Sequence, residues 1–222
     1  MKRILLSLTL LLTMVSMSFG QKKISEGTIT YEVEWQLPAQ MQAYAAMFPK
    51  EVQVYFKGDS ASWKNENPMS TTTTITNAKA EFTRLLLDVP MMGKKFSVTF
   101  TPADVENMRD KMPEYVITPG TESKTLAGYK VLKHSMTEKR SNTSSEAWFT
   151  KDIQVPQNSF TQFFDAQYGF PVEFSSFTQG VGIKARVKEV KAGPVPADAF
   201  RAGPEYEVMT VEELMQIQGG GR

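Results

Sequence analysis

His134 is the single histidine of a chain that holds no cysteine. A nucleophile–base–acid set would need a serine activated by that one imidazole, and no G-x-S-x-G elbow is present to supply it. His134 alternates with Leu132 and Met136 in a strand-like pattern, so it reads as a hairpin residue with a hydrogen-bond partner. Met91, Met92, Met108 and Met112 are soft enough to bind Cu(I), but thioethers with at most one histidine make a thin ligand set. Met108 and Met112 also share a helical face with Val105, as core or lid residues would. Asp104, Glu106, Glu212 and Glu213 fall where the first turn of a helix favours acidic side chains, which explains them without paired-carboxylate catalysis. EF-hand, P-loop and zinc spacings do not occur. The chain is therefore expected to be no enzyme, with no catalytic residue, no metal and no cofactor.

The remaining side chains with a candidate role are large and apolar. Met41, Tyr44 and Phe48 recur at helical spacing between Pro38 and Pro49, and Phe160, Phe163 and Phe164 follow Asn158 at i, i+3 and i+4. Two such short helices either complete a core or roof a cavity, and lidded apolar pockets are a recurring site type in open barrels. On the cavity reading the lining is Trp35, Met41, Tyr44, Phe48, Met91, Met92, Phe96, Phe100, Met108, Phe160, Phe163 and Phe164. The ligand would be a lipid or other apolar small molecule. The rival expectation is a filled barrel whose outer surface meets an envelope protein partner.

The elements that must position these groups are strands. Ile29, Tyr31, Val33 and Trp35 alternate with Thr28, Thr30, Glu32 and Glu34, the pattern of a half-buried strand. Val52 to Phe56 and Ser60 to Glu66 flank a turn at Gly58-Asp59; residues 69–77, rich in threonine, read as an exposed strand, with a loose loop as the alternative. Ala80 to Val89 and Lys95 to Phe100 join through Pro90-Met91-Met92-Gly93. Gly128 to Thr137 and Ser145 to Asp152 form a central hairpin with Ala147 and Phe149 on one face and Glu146 and Trp148 on the other. Residues 169–174 and 181–187 form a last hairpin turned at Gln179-Gly180. Thr101-Pro102-Ala103-Asp104 and Thr210-Val211-Glu212-Glu213 each open a short helix as capping boxes. About ten sequential antiparallel strands exclude a parallel α/β sheet, and such a sheet is expected to close or curl to hide its edges.

Met1-Lys2-Arg3, an apolar run from Ile4 to Val15, and Ser18 and Gly20 at the −3 and −1 positions have the form of a secretory signal peptide over residues 1–20. Residues 21–222 are expected to make one domain. Of 25 Lys and Arg, two lie in this leader, leaving 23 against 24 Asp and Glu. A near-neutral surface without a basic stripe argues against nucleic acid. The apolar run is shorter than the roughly 20 residues of a membrane span, so the mature chain is not expected to span one. Without cysteine it carries neither a disulfide nor a lipoprotein anchor. The expected location is beyond the inner membrane, in the periplasm or associated with the outer membrane.

Glu26-Gly-Thr-Ile-Thr-Tyr-Glu32, Lys124-Thr-Leu-Ala-Gly-Tyr-Lys130 and Glu146-Ala-Trp-Phe-Thr-Lys-Asp152, with Phe170-Pro-Val-Glu173 and Pro196-Ala-Asp-Ala-Phe200, resemble an uncharacterised Bacteroidetes-type family. It is a domain of unknown function grouped with the outer-membrane lipoprotein carriers LolA and LolB. The resemblance implies a mainly β (α+β) fold: a strongly curved antiparallel half-barrel with short helices lidding the concave face. It also implies an apolar cavity, which in the carriers receives acyl chains. The carriers' functional arginine has no matching motif here, and Arg84, Arg109 and Arg140 stay open as counterparts.

Overall fold

The computed structural model describes residues 22–66, 70–109, 112–178 and 181–219, without the side chains of 108, 109, 177, 178 and 217–219. The leader expected over residues 1–20, the turn expected at Gln179-Gly180 and the Met108 side chain lie outside the described residues. The strands in chain order are β1 (Lys22–Lys23), β2 (Glu26–Gln36), β3 (Glu51–Lys57), β4 (Ser60–Glu66), β5 (Thr71–Asn77), β6 (Phe82–Val89) and β7 (Lys94–Phe100). They continue as β8 (Tyr115–Leu126), β9 (Tyr129–Glu138), β10 (Ser144–Thr150), β11 (Ile153–Gln154), β12 (Phe170–Thr178), β13 (Val181–Ala192) and β14 (Glu207–Met209). Two α-helices, Pro102–Arg109 and Val211–Gly219, and a longer 3-10 helix, Ala39–Met47, lie between them.

The fold is mainly β, built on one twelve-stranded sheet in the order β14-β7-β6-β5-β4-β3-β2-β13-β12-β10-β9-β8. Two antiparallel meanders, β2 to β7 and β8 to β13, are stitched where β13 pairs with β2, from Gly182 opposite Gln36 to Ala192 opposite Gly27. The closure expected of so many strands is not seen: among the described residues the sheet ends at β14 and β8. Both edges are blunted in other ways. β14 is three residues long, and β8 breaks register between Pro119 and Ser123, devices that discourage further pairing without a barrel.

The core follows the period of two. Ile29, Tyr31 and Val33 of β2, Val54 and Phe56 of β3, Trp63 of β4, Phe149 of β10, Phe174 of β12 and Ile183 of β13 are buried in one cluster. Trp148 of β10 belongs to the same buried cluster and also carries the Lys124 ammonium 3.9 Å from its ring centroid, a cation–π contact.

Three expectations need correcting. β5 is not exposed: it lies between β4 and β6, with Thr74 and Ile75 buried. Threonine is β-branched and its hydroxyl can bond locally, as Thr76 Oγ1 does to the Ala61 carbonyl at 3.4 Å. Residues 159–163 form turns and no helix. There Asn158 acts as a hub: its Oδ1 accepts from Phe160 N at 2.9 Å and its carbonyl accepts from Thr161 N and Gln162 N. Those local bonds compete with helix propagation. Finally, the described residues form fourteen strands and not about ten, because β1, β11 and β14 are too short to show a period.

Both capping boxes are formed. Asp104 N donates to Thr101 Oγ1 at 3.2 Å while Thr101 N donates to Asp104 Oδ2 at 2.8 Å. The same pair of bonds joins Thr210 and Glu213 at 3.1 and 2.8 Å. The Thr101 hydroxyl and backbone N–H, both donating to Asp104 Oδ2, hold that carboxyl below the usual carboxylate range, and the Thr210 backbone N–H and hydroxyl do the same to Glu213.

Candidate ligand-binding site

The segment between β2 and β3 leaves the sheet after Gln36 and returns at Glu51. Leu37 is buried, and its carbonyl accepts from Gln42 Nε2 at 2.7 Å, which ties the 3-10 helix back to its point of departure. At the return Trp35 Nε1 donates to the Pro49 carbonyl at 2.7 Å, and the Phe48 ring lies 5.1 Å from the Trp35 ring. Between these two pins the helix Ala-Gln-Met-Gln-Ala-Tyr-Ala-Ala-Met carries no charge and has no buried residue.

Beside it is an open recess of about 840 Å³. Trp35, Leu37, Ala45, Ala46 and Phe48 supply its apolar wall; Glu32, Glu34, Glu173, Lys184 and Arg186 supply the polar one. The charges follow from register: Lys184 stands opposite Glu34 and Arg186 opposite Glu32 across the β13–β2 pair. Arg186 Nε donates to Glu173 Oε2 at 2.8 Å. At the rim the Glu51 carboxylate accepts from Lys188 and holds that ammonium above the usual lysine range. The recess therefore pairs an aromatic and aliphatic side with a charged one, where Glu32, Glu34, Glu51, Glu146 and Glu173 outnumber Lys50, Lys184 and Arg186, and that pairing suits an amphipathic guest.

The residues expected to line one cavity are not brought together. Trp35 and Phe48 meet in the recess, with Met41 and Tyr44 on the adjoining helix, half-buried and exposed. Met91 and Met92 sit on the β6–β7 turn, 85% and 53% exposed, and do not enclose anything there. Phe96 is buried and Phe100 half-buried on β7, and neither joins the main cluster.

Phe160 and Phe164 are packed solid. The Phe160 ring lies 5.6 Å from Tyr31 and 4.9 Å from Trp63. Phe164 lies 5.2 Å from Phe174 and 5.7 Å from Phe149, while Phe163 is half-buried. The expected aromatic roof is a plug, because its backbone meets its own hydrogen-bonding needs and can be buried. Beyond the Asn158 bonds, Gln157 Nε2 donates to the Phe164 carbonyl at 2.6 Å, and Asn158 Nδ2 donates to the Tyr31 hydroxyl at 3.3 Å. Burial pushes the Tyr31 phenol well above its ordinary range, which the Asn158 bond only partly offsets.

Of the candidate arginines, Arg84 Nε donates to Thr99 Oγ1 at 3.3 Å and its guanidinium lies over Phe82; Arg140 Nη2 donates to the Met112 carbonyl. Neither reaches the recess, and the Arg109 side chain lies outside the described residues. Sequence reasoning missed Leu37, Ala45, Ala46 and the Glu32–Arg186 charge rows. The alternating acids of β2 and bases of β13 were visible, but their meeting depends on a pairing between strands some 150 residues apart. No helix among the described residues is long and apolar enough to cross a membrane. The chain matches no family model and no curated protein at a significant level.

Proposed function

We propose that this is an exported envelope protein of the carrier or chaperone type, holding a lipid or other amphipathic chain in the recess beside Ala39–Met47. What supports the reading is an uncharged, apolar helix with no buried residue next to about 840 Å³ of space walled by Trp35 and Phe48. Contiguous apolar surface left exposed marks a contact site, and the volume is in the range of small-ligand pockets. Each acyl methylene moved from water onto that wall contributes about 0.8 kcal/mol. The head group stays among Glu32, Glu34, Lys184 and Arg186. The helix, pinned at Leu37 and Pro49, acts as the lid. The open sheet is in this reading the curved half-barrel of the carrier-like family, with the guest moved from the filled interior to the rim. Export through the 1–20 leader delivers a cysteine-free chain to the periplasm or the face of the outer membrane.

Native mass spectrometry of the gently purified chain with added long-chain fatty acid or lysophospholipid tests this. One bound amphiphile is expected, and Ala46→Glu, a change at an exposed position on the recess wall, removes it. A mass free of ligand at every concentration overturns the reading.

A second reading rests on the filled interior and on the C-terminal edge, where Val208 of β14 is 90% exposed and Met215 of the following helix 46%. Those side chains suit an envelope protein partner and need no small ligand. Crosslinking in envelope fractions, compared with Val208→Lys, separates the two: only the partner reading loses its adduct.

A further inference from the structure

His134 lies on β9, three strands from β13 toward the β8 edge of the sheet, and borders a separate cavity of about 520 Å³. The residue is 4% exposed, held edge-on between Phe149 at 4.8 Å and Tyr168 at 5.4 Å between ring centroids. Its Nδ1 lies 3.0 Å from the Leu132 carbonyl. A carbonyl only accepts, so Nδ1 carries a proton, and in that tautomer Nε2 offers a lone pair. That Nε2 makes no hydrogen bond among the described residues, and the ring borders the cavity. That nitrogen is not one of the enclosed unpartnered polar atoms, so it opens on the cavity, where it can accept from a guest's donor.

The rest of the cavity defines what brings the donor. Leu132, Phe149 and Tyr168 form an apolar floor, and the Tyr168 hydroxyl is already committed to the Ile117 carbonyl at 3.1 Å. Lys130 and Lys151 border the mouth, both at exposed positions. Asp152 also borders it, with one carboxylate oxygen accepting from the Lys130 backbone N–H at 3.0 Å. Two lysines against one aspartate leave the mouth net positive. Lys130 and His134 are four residues apart on one strand face, on the order of 13 Å along the backbone, and the lysine stem shortens that gap.

We propose that this cavity binds a small hydroxyaryl carboxylic acid, its O–H donating to His134 Nε2 and its carboxylate meeting Lys130 and Lys151. The ring lies on Phe149 and Tyr168. This site is distinct from the recess of the previous section and stands or falls independently of it.

The test uses the untagged full chain labelled with ¹⁵N-histidine, whose single imidazole gives an unambiguous long-range ¹H–¹⁵N spectrum. The free protein is expected to show protonated Nδ1 and unprotonated Nε2. Adding 3-(4-hydroxyphenyl)propionate shifts Nε2 saturably. 3-Phenylpropionate, which lacks the donor, binds about three- to tenfold more weakly, the range for one lost hydrogen bond. Lys130→Ala combined with Lys151→Ala, at exposed positions that leave the core intact, weakens the hydroxy acid at least tenfold and leaves the imidazole spectrum of the free protein unchanged. A protonated Nε2, no shift at millimolar acid, or equal affinity for the two acids overturns the proposal.

Discussion

Replacing Phe160 with alanine separates a plugged interior from a roofed cavity. The side chain is fully buried, with its ring against Tyr31 and Trp63. Truncation removes on the order of 100 Å² of buried apolar surface, about 2.5 kcal/mol at ~25 cal/mol/Å². If the neighbours relax only partly, a residual void of roughly 60 Å³ adds about 1.5 kcal/mol at ~24 cal/mol/Å³. The expected loss is therefore about 4 kcal/mol, inside the roughly 3–5 kcal/mol range of buried phenylalanine truncations. Urea unfolding followed in parallel by tryptophan emission and far-ultraviolet circular dichroism measures it, and Trp63 reports locally. The midpoint should fall steeply with the slope unchanged. Met91→Ala, at an exposed turn, is the control and should cost under about 0.5 kcal/mol. A loss below about 1 kcal/mol for Phe160→Ala would mean that the ring already borders empty space, and the reasoning here would be wrong.

Two further outcomes are expected. The β8–β9 reversal places Ala127 at φ 47° and Gly128 at φ 82°, the pair of positive angles a two-residue type I′ turn requires; Ala127→Asn should raise stability by about 0.5–1 kcal/mol in the same urea assay, and a loss would show that the turn is not left-handed there. Glu138 accepts from Ser141 N and Oγ and from Arg140 N, bonds that lower its pKa to about 2. The folded value lies below the unfolded one, so its stabilising effect is complete above the ordinary carboxylate range and fades as pH falls through it toward 2. Glu138→Gln should therefore flatten the acid limb of the wild-type stability profile, and identical profiles for the two chains would rule the linkage out.

What could be read from the sequence divides along physical lines. Alternation in β2 and β13, the central hairpin and both capping boxes depend on neighbours within a few residues, and they appear where the pattern put them. The threonines of β5 misled because polarity was taken for exposure, whereas a β-branched residue with a local acceptor can be buried. The Phe160–Phe164 spacing is compatible with a helix, yet Asn158 redirects the backbone into turns, and an Asx hub outweighs periodicity in so short a segment. Trp35 and Phe48 were legible as neighbours because they flank one excursion of the chain, and both line the recess. The charged wall was not, since it exists only once β13 is registered against β2. His134 was correctly given a hydrogen-bond partner, but only the folded chain brings its other nitrogen and two lysines to the border of one cavity.

Photolabelling with a long-chain fatty acid carrying a mid-chain diazirine addresses the central claim directly, because the native chain needs no mutation and mass spectrometry maps every adduct. Adducts on residues 35–48, competed by unlabelled fatty acid, are the predicted result. Adducts on residues 158–164 instead, beneath Tyr31 and Trp63, would contradict it by showing that the chain enters the interior and that the plug gives way.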